Sequence, residues 1–128
     1  MRNEEIETKT RYGTVNFEKR KHPRFSVDLP VEYSRADLFV EHAYAINASE
    51  GGLLLYLPDQ MEIGNHLRLK LFFTMGSELN AVETLVAVVW VDLHPGKDWG
   101  DYRTGVRFVE ISTGDMEKLM GFLRSLSG

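Results

Sequence analysis

Hydrophobic residues at every second position constrain this chain more than any other feature. Phe25, Val27, Leu29, Val31 and Tyr33 alternate with Ser26, Asp28, Glu32 and Ser34. Side chains two apart share one face of a pleated strand, so this segment predicts a half-buried β-strand. Pro30 lies inside it and has no N–H for a ladder, which predicts a sheet edge or a bulge at that point. Further strand patterns follow at short spacing, at roughly 39 to 46, 52 to 57, 66 to 74, 80 to 92 and 102 to 110. The stretch from Thr84 to Val91 is apolar on both faces, which suits two-sided burial or pairing with a second chain, and so leaves a homodimer open. Pro58-Asp59, Gly64-Asn65, Met75-Gly76-Ser77 and His94-Pro95-Gly96-Lys97 supply turns between the strands.

The period then changes. Met116, Leu119, Met120 and Leu123 fall at i, i+3, i+4 and i+7, and Leu126 continues the stripe, which predicts an amphipathic helix. Ser112 or Thr113 can cap it, Asp115 and Glu117 suit its positive end, and Arg124 suits its last turn. Six strands followed by one helix predict a mainly β domain. A small sheet of this kind removes its unpaired edges by curling into a barrel, with the helix over one opening or flank. Residues 1 to 19 are polar and follow neither period, so they read as a mobile arm. A length of 128 residues then leaves room for one domain.

Composition narrows the function. With no cysteine, disulfides, iron–sulfur clusters, thiolate zinc sites and a cysteine nucleophile are excluded. The longest apolar runs, such as Leu85 to Val91, are far shorter than the roughly 20 residues that span a bilayer. No charged-then-apolar leader opens the sequence, so a cytoplasmic protein without membrane insertion is expected. A net charge of -4 and a pI of about 5.5 disfavour nucleic acid as a partner. The charge is uneven, however. Glu18-Lys19-Arg20-Lys21-His22-Pro23-Arg24 holds four cationic side chains in seven positions, a local cluster better suited to a small anionic ligand.

Catalytic signatures are missing. The sequence has no Gly-x-Ser-x-Gly elbow, no Gly-x-x-x-x-Gly-Lys phosphate loop and no Gly-x-Gly-x-x-Gly fingerprint. His22, His42, His66 and His94 are scattered. Asp92, His94, Asp98 and Asp101 share one stretch and read as solvated acids around a turn rather than a metal site. No enzyme, resident metal or cofactor is expected.

Two segments carry chemistry instead. Arg20 and Arg24 form an Arg-x-x-x-Arg spacing just ahead of the first strand, and Pro23 biases His22 towards an extended backbone. Arginine presents a planar fork of donors that takes phosphate oxygens in pairs, reads guanine O6 and N7, and stacks on bases. Asn47-Ala48-Ser49-Glu50-Gly51-Gly52 lies between two strand patterns, where Asn47 and Ser49 offer short polar groups on a turn. Its glycines allow positive φ and close backbone approach. A hairpin connection has the same composition.

Taken in order, Arg-x-x-x-Arg, a strand and then Asn-x-Ser-x-x-Gly resemble the PilZ domain, the bacterial receptor module for cyclic di-GMP. Arg24-Phe25 leading into the first strand agrees with it. So do Gly51-Gly52-Leu53-Leu54-Leu55 and Gly105-Val106-Arg107-Phe108, the latter similar to the family's last barrel strand. The resemblance covers roughly residues 18 to 126. It implies a six-stranded antiparallel PilZ-type β-barrel with a C-terminal helix, spanning residues 18–128 behind a flexible arm at 1–17.

By the same resemblance, Arg20 and Arg24 would grip phosphates and guanine edges of cyclic di-GMP. Asn47 and Ser49 would bind from the barrel face, with Gly52 shaping the turn. Lys19, just before the arginines, would serve a second stacked nucleotide. The family often has Asp where this chain has Asn47, and a neutral amide loses charge assistance. The implied function is a non-catalytic receptor that binds cyclic di-GMP and relays a conformational change, through ordering of the arm, to a protein partner that the sequence does not name. The alternative is an adaptor of the same fold that works by protein contacts alone. Adaptors of that kind lack the arginines or the Asn/Asp-Ser-Gly turn, and this chain has both.

Overall fold

The computed structural model describes residues 23–35, 40–93 and 102–126. Six strands form in chain order: β1 (Phe25–Ser34), β2 (Glu41–Ala48), β3 (Gly52–Leu57), β4 (His66–Met75), β5 (Glu78–Leu93) and β6 (Tyr102–Ile111). All neighbouring pairs are antiparallel, and the order β1-β2-β3-β6-β5-β4 closes on itself as a barrel. Helix α1 (Thr113–Leu126) follows. The expected mainly β barrel with a C-terminal helix is therefore the fold that forms. The expected arm lies outside the described residues.

Alternation fills the interior. Val31, Leu55, Leu67, Leu71, Val82 and Val86 point inward and are almost entirely buried. Each contributes about 1.5–3 kcal/mol relative to an exposed position. Leu119 and Leu123 of α1 join the same cluster, and Phe122 stacks on Phe73 with ring centroids 4.5 Å apart. The helix thus closes the end of the barrel beside Phe73. Ser112 is the cap: its hydroxyl accepts from the Asp115 N–H (3.0 Å), and its carbonyl accepts from the Met116 N–H (2.9 Å). The Asp115 carboxylate in turn accepts from the Glu83 N–H of β5 (3.0 Å), tying the helix start to the sheet.

Besides an irregularity in β1, three bulges interrupt the alternation, and they decide what faces solvent. On β2, Ala45 pairs with Leu55 but Asn47 pairs with Leu54, so Ile46 is an extra residue. On β5, Val88 pairs with Val106 but Trp90 pairs with Gly105, which makes Val89 the extra residue. On β6, Val109 is inserted in the same way between Phe108 and Glu110. An extra residue reverses the side on which every following side chain emerges. Ala43 and Ala45 are buried, so unbroken alternation would send Asn47 inward. The bulge buries Ala48 instead and leaves Asn47 half-buried on the outer face.

The two-sided burial expected for Thr84 to Val91 holds from Val86 to Val88, where Ala87 is buried between two inward-facing valines, and it ends at the Val89 bulge. Thr84, Val86 and Val88 face the core, whereas Val89 and Trp90 are 41% and 39% exposed. Pro30 sits where its missing N–H is tolerated. It pairs only with Tyr44 of β2, one residue before β4 joins β1 at Val31, and it follows the β1 bulge between Ser26 and Leu29. Gly64 (φ 97°) and Gly76 (φ 62°) take the left-handed backbone that their turns require.

Candidate functional site

A cleft of about 370 Å³ runs across the outer face of the barrel, lined by Arg24, Asn47, Ser49, Gly52, Trp90 and Gly105, with apolar neighbours such as Leu54 and Val89. Four residues singled out in the sequence therefore meet: Arg24, Asn47, Ser49 and Gly52. Lys19 and Arg20 lie outside the described residues. Arg24 is exposed in the two-residue lead into β1, at the mouth of the cleft. The pairing Phe25↔Ala48 and Ser26↔Asn47 brings that lead against the end of β2, so proximity of Arg24 to Asn47 and Ser49 follows from strand register.

The turn itself is built differently from the expectation. Asn47 is a strand residue within β2 rather than part of the turn, while Gly52 opens β3 as the strand pattern at 52 to 57 predicts. Ser49, Glu50 and Gly51 make the connection. The Ser49 N–H donates to the Gly52 carbonyl (2.9 Å), and the Ser49 hydroxyl accepts from the Gly51 N–H (3.1 Å). A hydroxyl that accepts one bond still has its own proton to donate, so Ser49 both shapes the turn and keeps a donor for the cleft. Gly51 is fixed from below, its carbonyl accepting from the Phe108 N–H (3.2 Å).

Gly52 does not carry a positive φ; its requirement is space. A Cβ there would overlap the Val106 carbonyl oxygen and lie 3.0 Å from the Arg107 Cα. The glycine is what lets β3 and β6 approach beneath the cleft.

Sequence reasoning missed two residues. Trp90 walls the far side of the cleft, and Gly105 lies beneath its ring: a Cβ on Gly105 would fall among the indole Nε1, Cε2 and Cδ1 atoms. The signal was the Trp inside an apolar strand, which reads as core until the Val89 bulge is known. In the next row of side chains, Arg103 pairs with Asp92 across β6 and β5 at 2.6 Å, with both side chains partly exposed. Such a pair is worth at most about 1 kcal/mol. Arg103 and Arg107, which repeat the Arg-x-x-x-Arg spacing, do not line the cleft.

A larger groove of about 940 Å³ lies between β1, β4, β5, β6 and the start of α1, with Leu85, Val109 and Ile111 in its lining. Its rim mixes Glu32, Glu83 and Glu110 with Arg68 and Lys70, and it is lined by none of the ligand-binding residues expected from the sequence. Size alone does not make it the site; residues of both sequence motifs line the smaller cleft, which is therefore the candidate. Among the described residues no group of three His, Asp or Glu side chains could hold a metal ion, and no helix is long and apolar enough to cross a membrane.

A closed six-stranded barrel with Arg24, Asn47 and Ser49 gathered in a cleft beside one aromatic wall is a small domain with a candidate ligand site. The PilZ domain family model matches residues 18–125, and the chain belongs to that family. Comparison with curated proteins finds no match. Among solved structures, the Bacillus subtilis inhibitor of motility MotI/DgrA superposes with a TM-score of 0.73 at 22% identity, over 87% of this chain and 53% of that one. The PilZ domain of Escherichia coli YcgR, solved with c-di-GMP, gives 0.65 at 15% identity over 86% and 92% of the two chains. The K. pneumonia MrkH–c-di-GMP complex gives 0.67 at 15% identity over 86% and 52%. This chain thus spans about half the length of MotI/DgrA and of MrkH. At such identities the likeness is one of fold.

Proposed function

We propose that this protein is a non-catalytic receptor for cyclic di-GMP, held in the outer-face cleft between the Arg20/Arg24 loop and the Asn47–Ser49 edge of the barrel. The observation that carries this reading is the convergence on one cleft of Arg24 from the lead into β1, Asn47 from β2 and Ser49 from the turn that follows it. A guanidinium there takes a phosphate or a guanine Hoogsteen edge, while the Asn47 amide and the Ser49 hydroxyl meet base N–H groups and oxygens. Family membership and the two relatives solved with c-di-GMP support the choice of ligand. Gly52 acts indirectly, by permitting the close strand approach under the cleft. Lys19 serves a second stacked nucleotide. An intracellular messenger as ligand puts the receptor in the cytoplasm.

The relay follows from where the two halves of the site lie. One half precedes β1 in the chain and the other is barrel face, so a ligand held by both couples the segment before Phe25 to the barrel. The surface presented to a protein partner then depends on the ligand. Calorimetric titration with cyclic di-GMP, GTP and cyclic AMP in parallel tests the reading. Saturable binding of cyclic di-GMP alone is expected. Equal binding of all three, or of none, rejects it, and the last outcome favours an adaptor that works by protein contacts.

A further inference from the structure

We infer that the open edge of β5 from Leu79 to Glu83 is a docking site for an extended, cationic segment of a partner protein, which joins the sheet as a further strand. The site is separate from the motif cleft and does not depend on the ligand read there.

The edge follows from unequal strand lengths. β6 ends at Ile111, opposite Thr84, while β5 continues to Glu78. Residues 78 to 83 therefore pair with β4 alone. Asp115 shows which way their backbone groups point, because its carboxylate takes the Glu83 N–H at 3.0 Å. In an antiparallel strand a residue sends its N–H and C=O to one side, and residues two apart share that side. Glu83 faces away from its cross-strand neighbour Lys70, so Ala81 and Leu79 face away from Phe72 and Thr74. Asn80 and Val82 face the β4 ladder instead. Among the described residues no backbone group pairs with Leu79 or Ala81 on the open side. From Asp115 the helix runs on to Phe122, against Phe73 of β4, and Leu79 is left 70% exposed.

Such an edge is a template for another strand, and proteins usually blunt it with lysine, proline or a bulge. Residues 78 to 83 contain none of these. Their charges are all acidic: Glu78 and Glu83 lie at the two ends, with Asp115 beside Glu83. Lys70 and Lys118 approach Glu83 and Asp115 only at 3.9 and 3.8 Å, and no described cation pairs with Glu78. Two copies of this edge, paired antiparallel about Ala81, would bring Glu78 of each beside Glu83 of the other, and like charges oppose that. A segment with a basic residue near each end and an apolar one against Leu79 meets the edge with complementary charge, while its backbone supplies the missing hydrogen bonds.

Amide exchange and peptide titration followed by nuclear magnetic resonance test the site. The probe is the peptide Lys-Val-Thr-Thr-Val-Lys, blocked at both ends, with Glu-Val-Thr-Thr-Val-Glu as control. In the free protein the Leu79 and Ala81 amides should exchange fast and those of Asn80 and Val82 slowly. The lysine peptide should slow the first pair and shift their resonances, and the glutamate peptide should do neither. Ala81→Pro removes an N–H that bonds nothing in the fold, so it should weaken the lysine peptide roughly threefold to tenfold with the barrel intact. Glu78→Lys, at an exposed position, should weaken it by a similar factor through charge alone. Equal binding of both peptides, or lysine-peptide binding unchanged in Glu78→Lys and in a folded Ala81→Pro, would overturn the proposal. So would slow exchange of all four amides in the free protein, which would mean that a second copy or the chain's own N-terminal residues already cover the edge; sedimentation equilibrium separates those two.

Discussion

Replacing Gly52 with alanine should cost this barrel much of its stability, although it adds only one methyl group. The added Cβ would overlap the Val106 carbonyl oxygen and sit 3.0 Å from the Arg107 Cα. Both are backbone of β6, so no side chain can swing away, and the first of the six β3–β6 pairs, Gly52↔Arg107, must open. Forcing a methyl group into packed backbone costs about 1–3 kcal/mol. Weakening one or two ladder hydrogen bonds adds about 0.5–1.5 kcal/mol each. A total of about 3 kcal/mol is expected, and for a domain of this size that lowers Tm by about 10 °C.

Gly105→Ala is the matched control. The three nearest atoms to its Cβ all belong to the Trp90 ring, which can lift, so its Tm should stay within about 3 °C of wild type. Thermal unfolding followed by circular dichroism measures both. A Gly52→Ala protein as stable as wild type, or a Gly105→Ala protein as damaged as Gly52→Ala, would refute the reasoning.

Further outcomes are expected. Arg24→Ala should lower cyclic di-GMP affinity on the order of a hundredfold with Tm unchanged, whereas Arg103→Ala, outside the cleft, should bind within a few-fold of wild type; calorimetry compares the two. Gly121→Ala should stabilise the protein by about 0.5–1 kcal/mol in urea denaturation, because the position is helical and a Cβ there meets nothing within 4 Å. The Tyr33 phenol should resist ionisation: burial foremost, then the Glu41 and Asp59 carboxylates, hold its pKa well above the usual 10.0, with Arg35 opposing. Its proton is held more tightly folded than unfolded, so stability should fall as pH rises past about 10, read by tyrosinate absorbance together with circular dichroism. Saturating cyclic di-GMP should slow trypsin at Lys19 to Lys21 more than elsewhere, and equal rates would contradict a relay through that segment.

What was legible in the sequence follows the residues that keep a simple period. β1 and β4 hold the alternation from Leu29 to Tyr33 and from Leu67 to Phe73, and α1 holds its stripe from Met116 to Leu123, so barrel and helix could be read directly. The polar half of the cleft was legible because Arg24, Asn47 and Ser49 belong to spaced motifs. The aromatic half was not. A bulge leaves no mark in composition, so Trp90 looked like one more core residue, and Gly105 gained meaning only once its neighbour across β5 was known. The same blindness put Asn47 in a turn, because the Ile46 bulge extends β2 by two residues beyond the expected end at 46.

The most direct test of the central claim is where the ligand touches the protein. Backbone amide resonances recorded during titration with cyclic di-GMP report this residue by residue. The account predicts that the largest shifts fall on Ser26, Asn47 to Leu54, Val89, Trp90 and Gly105, with the Glu83, Glu110 and Asp115 side of the barrel unmoved. Shifts concentrated in that larger groove instead, or none at saturating ligand, would contradict it.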